Sequence, residues 1–215
     1  MTGSLRLPDA PVAAEDGRMS APSALRNRAA ITELVLRHAP ATGRALEIAS
    51  GTGEHVIAMA AAMPRLDWHP TDIDTGRRRS IDAWVRAEGL GNVAPARHLD
   101  AAQPGWAADE PPADLIVLVN LLHLIPNEAA ETILNGIARA LSPRGVAVIY
   151  GPFLRDGAAT SEGDRAFDAS LRAQDPDIGY KDAGWVSAHM KAEGLTRLEE
   201  RHMPANNLAF VFRKD

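Results

Sequence analysis

A short segment with two glycines and a preceding acidic residue is the part of this sequence best suited to bind a charged ligand. It runs Glu47-Ile48-Ala49-Ser50-Gly51-Thr52-Gly53, between a strand pattern and an apolar helix pattern. Glycines allow the backbone to approach a ligand closely, and the first turn of a helix offers unpaired N–H groups. We therefore predict a ligand-binding loop, whose contact residues are Glu47, Ala49, Ser50, Gly51 and Gly53.

The charge and spacing of this loop indicate which ligand it binds. A dinucleotide fingerprint needs Gly-x-Gly-x-x-Gly or Ala, and counted from Gly51 its last position is the bulky Val56. A carboxylate at Glu47 would repel a pyrophosphate, whereas it suits the cationic amino end of S-adenosylmethionine (SAM). The loop therefore favours SAM over NAD; a strand-to-helix turn without any ligand is the remaining alternative.

Polar residues follow three later strand patterns and could complete the cofactor site. Asp72 follows the second strand about 20 residues after the glycines, where an acid can accept hydrogen bonds from ribose hydroxyls. Asp74 is better explained as a helix cap. Asp100, followed by Ala101, could contact the adenine, although Asp100 could equally cap a turn. Asn120 ends the fourth strand and is predicted to lie at the same edge of the sheet.

The candidates for chemistry lie beyond the carboxyl ends of the strands, where ligands bind in sheets of this type. His123 could act as a base toward an O–H or N–H group, and Tyr150 could form a wall or donate a hydrogen bond. Each could instead be a packed core residue. If the ligand is SAM, its methyl group is transferred to a second molecule, the acceptor. The predicted contacts to this acceptor are Arg26, Asn27, His55, Arg155 and Asn206.

The composition excludes several functional classes. A formal net charge of -5 argues against a general nucleic-acid or membrane-surface binder. The sequence has no cysteine, so that no disulfide, thiolate metal site or catalytic thiol exists. The histidines show no metal-ligand spacing, so we expect no metal. No apolar run approaches the length of a membrane span, and Met1 to Asp9 has no secretory pattern, so a cytoplasmic protein is expected.

The elements that must position these residues alternate between strand and helix. Five such alternations predict a parallel sheet covered on both faces, and the segments 195–203 and 208–213 bracket a Pro204-Ala205-Asn206-Asn207 turn. The expected fold is an α/β Rossmann-like three-layer sandwich, with a mostly parallel seven-stranded sheet and a C-terminal antiparallel hairpin. Residues 1–21 are predicted to be a flexible lead-in, and residues 22–215 a single domain.

In order and in motif, residues 22–213 resemble the class I SAM-dependent methyltransferases. A narrower resemblance, to the methyltransferase-like protein twenty-six family, is carried by several longer segments. These are Leu25-Arg26-Asn27-Arg28, Leu46 to His55, Trp68 to Asp74, Tyr150-Gly151-Pro152-Phe153, Phe167 to Arg172 and Met203 to Leu208. The broad class usually has Gly where this chain has Ala49, and the narrower family shares the Ala-Ser pair. The resemblance implies the fold and the cofactor, but it supplies no substrate.

Together these features predict a SAM-dependent methyltransferase acting on a small molecule, without nucleic-acid or membrane partners. The alternatives are a non-catalytic SAM-binding protein, a NAD-dependent oxidoreductase and a protein or RNA methyltransferase. The first is motivated by the absence of an obligatory base, and the last would need an electropositive acceptor surface.

Overall fold

The computed structural model describes residues 10–215, so that residues 1–9 of the predicted lead-in lie outside it. The described strands are β1 Val12–Ala13, β2 Met19–Ser20, β3 Gly43–Ile48, β4 Leu66–Pro70, β5 Ala113–Val119, β6 Leu141–Gly151, β7 Phe153–Leu154, β8 Lys181–Asp182, β9 Leu195–His202 and β10 Leu208–Lys214. The described α-helices are α1 Pro22–His38, α2 Glu54–Ala62, α3 Thr75–Glu88, α4 Asn127–Ala140, α5 Glu162–Gln174 and α6 Ala183–Ala192.

A six-stranded sheet in the order β4-β3-β5-β6-β10-β9 forms the centre of the molecule. Strands β4, β3, β5 and β6 are parallel, and β10 runs antiparallel to both β6 and β9. The α/β Rossmann-like fold with a C-terminal antiparallel hairpin is therefore confirmed. Parallel strands bring their carboxyl ends to one edge, where the loops after β3, β4, β5 and β6 meet.

Residues 92–99, which supply the third of the seven predicted strands in chain order, do not form a strand. This segment lies beside β4 and forms two isolated parallel bridges, Trp68 with Val93 and Thr71 with Arg97. Between them stands Pro95, which has no N–H to donate, and the N–H of Ala96 bonds the side chain of Asp82 instead. The sheet of the described chain therefore ends at β4 on this side.

Two apolar layers cover the sheet. Helices α1, α2 and α3 pack on one face through Ile31, Val56 and Ile81, and α4 and α6 cover the other through Ile133 and Val186. Strand β5 serves both, because Leu115, Val117 and Val119 belong to the first layer whereas Ile116 and Leu118 belong to the second. Its unbroken apolar pattern thus reflects burial on both faces.

Part of the predicted lead-in is structured. Strands β1 and β2 form an antiparallel pair, and the Met19 N–H donates to Ser80 Oγ at 2.7 Å. The indole N–H of Trp84 donates to the Met19 carbonyl at 2.9 Å, and the Arg18 guanidinium lies 4.5 Å from the centre of the Trp84 ring. Residues 18–20 are therefore held against α3, which the Ala- and Pro-rich composition did not indicate.

Within residues 10–215, none of the helices combines the length and the apolar character that crossing a membrane would require.

Candidate functional site

The loop between β3 and α2 adopts the backbone conformation that its glycines permit. Gly51 has φ 61° and Gly53 has φ 107°, both in the left-handed region. The two glycines have different neighbours. A Cβ on Gly51 would meet nothing within 4 Å, whereas one on Gly53 would lie 3.2 Å from Ile81 Cα and 3.3 Å from Trp84 Cδ1. Gly51 therefore borders open space available to a ligand, and Gly53 permits close packing of the loop against α3.

Ala49 and Ser50 complete the loop and have structural roles of their own. Ala49 has φ 54°, a conformation that costs a residue with a Cβ but suits the glycine usual at this place. Ser50 is buried, and its N–H donates to the Thr71 carbonyl at 2.7 Å while its Oγ accepts from the Thr71 N–H at 3.2 Å. These two bonds fix the loop to the end of β4.

The carboxylate of Glu47 is the least satisfied polar group of the loop. The residue is 1% exposed, and its Oε2 has no hydrogen-bond partner among the described residues. Burial raises the pKa of Glu47 to about 8, and the negative charges of Asp72 and Glu54 act in the same direction. A hydrogen bond from the Ser50 side chain opposes this shift, but Oε2 itself has no partner and can accept a hydrogen bond or face a cation.

Asp72 lies opposite the loop, at the end of β4. Its Oδ2 accepts the Gly51 N–H at 3.0 Å and its Oδ1 accepts the Asp74 N–H at 2.9 Å. Burial raises its pKa despite these bonds and Arg77, whose Nη1 lies 3.8 Å from Oδ2. The carboxylate thus fixes the loop and retains lone pairs for a ligand. Asp74 accepts the Arg77 N–H at 2.8 Å and caps α3, as predicted for it.

The other predicted cofactor residues lie in two different places. Asp100 accepts the Ala102 N–H at 3.1 Å and the Gln103 side-chain amide at 3.1 Å, as a turn cap would. Ala101 is buried in the apolar layer that contains Ile48. Asn120 follows β5 with φ 55°, and its N–H donates to the Tyr150 carbonyl at 2.9 Å. The adenine contact predicted for Asp100 and Ala101 remains a prediction.

A cavity of about 680 Å³ opens beyond the ends of β5 and β6. Its walls come from α1, the segment after β5, the end of β6, α5 and the turn between β9 and β10. They comprise Ser23, Arg26, Asn27, Asn120, His123, Leu124, Tyr150, Pro152, Asp164, Phe167, Tyr180, Pro204, Ala205 and Asn207. Glu47, Gly51 and Asp72 do not line it, so that the glycine loop and the cavity are neighbouring sites rather than one.

A chain of hydrogen bonds joins the glycine-loop helix to this cavity. His55, in the first turn of α2, places Nε2 2.7 Å from Asn27 Oδ1. The Asn27 amide donates to Tyr150 Oη at 3.4 Å, and the Asn207 amide donates to the same oxygen at 2.9 Å. Burial lowers the pKa of His55 to about 4 and raises the pKa of Tyr150, so both are neutral near pH 7.

His123 lies in the cavity wall among aromatic rings. Its ring meets Phe167 edge-to-face at 5.9 Å and Tyr180 at 6.0 Å, and its Nδ1 is buried without a partner among the described residues. Burial, with the positive charge of Lys181, lowers the pKa of His123 to about 3. The imidazole is therefore neutral, and its Nδ1 is not used by neighbouring residues.

The predicted acceptor-side residues divide into two groups. Arg26 and Asn27 line the cavity, whereas Arg155 and Asn206 do not and bond to each other behind the wall. Arg155 donates to Asn206 Oδ1 and to its carbonyl, both at 3.2 Å, and Asn206 also donates to Asp164. His55 reaches the cavity only through Asn27. Substrate contacts by Arg155, Asn206 and His55 remain predictions.

Several residues of the site were not predicted from the sequence. Asp164 accepts from Ser161 and Tyr180, and the Ser161-x-x-Asp164 spacing indicated a helix cap rather than a cavity wall. Glu54 is buried beside the loop and accepts the Ala21 N–H at 2.7 Å, which connects the N-terminal segment to α2. Its position directly after Gly53 was the available signal. Phe167 lies in one of the segments that carry the narrower resemblance, which was the available signal, whereas Tyr180 carried none.

In the part of the chain from residue 10 onward, no group of three or more His, Asp and Glu side chains is placed to hold a metal ion.

Comparison with known proteins places the chain in one family and gives it several structural relatives. Residues 18–214 match a family described as a protein of unknown function (DUF938). An O-methyltransferase family 2 protein from Planctomyces limnophilus, solved in complex with apigenin, is similar with a TM-score of 0.77 and 15% identity over 90% of this chain. An O-methyltransferase family protein from Burkholderia thailandensis is similar with a TM-score of 0.72 and 17% identity over 87%.

Human N-acetylserotonin methyltransferase, solved in complex with SAM, is also similar, with a TM-score of 0.66 and 14% identity over 87% of this chain. The matches cover 58%, 59% and 54% of these three proteins, so the chain spans somewhat over half of their length. At these identities the likeness extends to the fold, which is the Rossmann-like fold of methyltransferases.

Proposed function

We propose that this chain, which belongs to the family described as protein of unknown function (DUF938), is a SAM-dependent methyltransferase acting on a small molecule. The observation that carries the proposal is the buried, unpartnered Oε2 of Glu47 at the carboxyl end of β3. A buried carboxylate is costly unless a partner arrives, and the amino group of SAM is such a partner.

The residues around the loop fit SAM. Glu47 would hold the amino end, open space at Gly51 would admit the chain of the cofactor, and Asp72 would accept from the ribose hydroxyls. Asn120 lines the cavity, where the methyl group would be presented. Bound SAM supplies an activated methyl group, so the protein mainly orients the nucleophile and excludes water.

The same geometry argues against a dinucleotide. Val56, at the last position of the fingerprint, is fully buried against α1, and Glu47 would lie near a pyrophosphate of the same sign. The dominant contribution to cofactor choice is therefore the charge of Glu47.

A small molecule suits the cavity because its walls enclose about 680 Å³ and are mostly apolar or aromatic. The apigenin complex of the Planctomyces limnophilus relative supports the same class of substrate. Within the cavity, neutral His123 can accept a hydrogen bond, or a proton, from an O–H or N–H group of the substrate. The narrower kinship with the methyltransferase-like protein twenty-six family and a cytoplasmic location are part of this proposal.

A non-catalytic SAM-binding protein is the second candidate. The low pKa of His123, about 3, favours it, because such a group is a weak base toward an alcohol or phenol. Transfer of labelled methyl groups from SAM into a small-molecule extract separates the two candidates. Incorporation that is lost in His123→Ala supports the enzyme; cofactor binding without incorporation into any fraction supports the alternative.

Cofactor identity is tested by calorimetric titration with S-adenosylhomocysteine and with NAD. We expect saturable binding of the first and none of the second; the reverse result would replace the proposal with a nicotinamide enzyme. Asp72→Asn should weaken binding roughly tenfold, through one lost charge-assisted hydrogen bond. Asp74→Asn is the matched control, because asparagine caps α3 as well as aspartate does and should leave affinity unchanged.

A further inference from the structure

The two cavity tyrosines differ in what happens to their hydroxyl protons. Tyr180 Oη lies 3.3 Å from Asp164 Oδ1 and donates to that carboxylate, so its proton is used inside the protein. Tyr150 Oη instead receives two N–H bonds, from Asn207 at 2.9 Å and from Asn27 at 3.4 Å. A phenol oxygen has two lone pairs, and here both face amide donors.

The direction of the Asn207 bond is fixed by a neighbouring group that can only accept, and the direction of the Asn27 bond follows the tautomer of neutral His55. The Asn207 atom near Tyr150 also lies 3.1 Å from the Pro204 carbonyl, which only accepts, so this atom is the amide nitrogen. With the His55 proton on Nε2, the Asn27 oxygen accepts from that ring and the Asn27 nitrogen donates to Tyr150 Oη. Within residues 10–215, no carbonyl or side chain accepts the proton of Tyr150.

We propose that Tyr150 selects the methyl acceptor by donating its hydroxyl proton to a lone pair on an oxygen or nitrogen of that molecule. The inference rests on the proposed function in taking the 680 Å³ cavity as the substrate site. The favoured substrates are polar aromatic molecules with a carbonyl, ether or phenolic oxygen. Hydrocarbon rings and ammonium groups offer no lone pair to Tyr150, and Asp164 already accepts from Ser161, Asn206 and Tyr180.

The walls explain why the substrate is aromatic as well as polar. His123, Phe167 and Tyr180 form three mutual edge-to-face contacts, with centroids 5.9 to 6.0 Å apart. Their shared surface suits a ring, since aromatic pairs prefer such offset or edge arrangements. Tyr150 lies at the end of β6 and would donate a hydrogen bond to a substituent of a ring held against this surface.

The test uses two probes that differ in one atom group. 4-Fluoroacetophenone carries a C=O, and 4-fluoro-α-methylstyrene carries C=CH₂ in its place. Both are titrated into the full chain, saturated with S-adenosylhomocysteine, and followed by fluorine NMR. We expect the wild type to prefer the ketone roughly three- to tenfold, the contribution of one neutral hydrogen bond.

Three variants locate that preference. Tyr150→Phe removes the donor and should bring the ratio close to one. Asn27→Asp replaces an amide donor with a carboxylate that accepts the Tyr150 proton. The ketone-to-alkene affinity ratio should then fall close to one although Tyr150 is still present. Tyr180→Phe, which removes a hydroxyl already bonded to Asp164, should keep the ratio. Thermal unfolding verifies that each variant is folded.

Absence of a preference in the wild type, or its persistence in a folded Tyr150→Phe or Asn27→Asp variant, overturns the proposal. The failure of the proposed function gives a different result. If S-adenosylhomocysteine does not bind, the cofactor assignment falls, whereas the probe ratio in the ligand-free chain still reports whether Tyr150 donates into the cavity.

Discussion

The site has two halves that are built in opposite ways. The cofactor half, at the ends of β3 and β4, is acidic and comes from residues close in sequence, with Glu47 and Asp72 on either side of Gly51. The acceptor half, at the ends of β5 and β6, combines mainly neutral side chains from α1, α5 and the β9–β10 turn. We propose that the first half recognises charge and that the second recognises shape and hydrogen-bond direction.

The two halves also differ in which buried polar atoms lack a hydrogen-bond partner. In the cofactor half one buried carboxyl oxygen, Glu47 Oε2, has no partner, and the loop around it is fixed to β4 by Ser50 and Asp72. In the acceptor half, Tyr150, Asn27 and Asn207 are joined by hydrogen bonds, and His123 Nδ1 is the one fully buried polar side-chain atom of the described cavity wall without a partner. Loss of the charged contact in the first half should therefore lower ligand affinity more than loss of a hydrogen bond in the second half.

Glu47→Gln should show the largest effect, because it removes the charge but keeps the shape of the side chain. We expect the affinity for S-adenosylhomocysteine to fall roughly 100-fold, as happens when one partner of a buried charge pair is lost. Calorimetry measures this change. Glu199→Gln, at the surface beside His38, is a control that should bind as the wild type does; equal loss in both variants would contradict the role of Glu47.

The same residue predicts a pH dependence of defined sign. Folding raises the pKa of Glu47 from 4.5 to about 8, so the folded chain holds a proton that the unfolded chain has released. The free energy of unfolding should therefore fall as pH rises from about 4.5 to about 8, because the unfolded chain releases this proton first. Cofactor binding below pH 8 should release this proton, so that affinity rises with pH up to about 8. Calorimetry in buffers of different ionisation enthalpy counts the proton, and Glu47→Gln should release none.

The two loop glycines should respond differently to an added methyl group. Gly53→Ala should cost about 3 kcal/mol of stability, because its backbone is strained for a Cβ and the methyl group would press on Ile81 and Trp84. Gly51→Ala should cost about 1–2 kcal/mol, which is the left-handed backbone alone. Denaturant unfolding measures both. Gly51→Ala should nevertheless bind S-adenosylhomocysteine poorly; similar stability losses in the two variants would remove the distinction.

Gly151→Ala tests whether the acceptor half can be altered without the cofactor half. Its Cβ would lie 3.8 Å from Asn120 Oδ1 and 3.9 Å from His123 Nδ1, which are ordinary contacts. We expect stability to change by no more than about 0.5–1 kcal/mol. Binding of 4-fluoroacetophenone should weaken several-fold while S-adenosylhomocysteine binds normally. Loss of both ligands together would mean that the two halves are one site.

Ala49→Gly should give the smallest effect and a favourable one. Ala49 has φ 54°, and glycine would relieve this strain while increasing the entropy of the unfolded chain. These contributions partly cancel, and we expect a net stabilisation of roughly 0.5 kcal/mol. A slightly higher unfolding temperature with unchanged affinity for S-adenosylhomocysteine would support this prediction. A lower unfolding temperature would show that packing of the Ala49 methyl group outweighs the backbone strain.

The placement of the proposed cofactor residues at one edge of the sheet could be predicted, because these residues lie at regular intervals along the chain. The positions of Gly51, Asp72 and Asn120 follow from strand-helix alternation, which brings the carboxyl ends of parallel strands together. The number of strands was less accessible, because residues 92–99 lie beside β4 but Pro95 interrupts the pairing. The hairpin of residues 12–20 was also missed, because its contacts with Ser80 and Trp84 span more than 60 residues.

Sequence patterns alone predict the fold class, the glycine loop and the acidic residues on which the proposed preference for SAM rests. These features depend on local patterns and on charge, which the chain carries wherever it folds. The packing of the elements shows that Glu47 Oε2 has no hydrogen-bond partner among the described residues, that Gly53 lies against α3, and that Arg155 pairs with Asn206. It alone also turns the Tyr150 proton toward the cavity, because Asn27 and Asn207 reach the same oxygen from positions 180 residues apart. Such convergence depends on how the elements pack, and no spacing in the sequence expresses it.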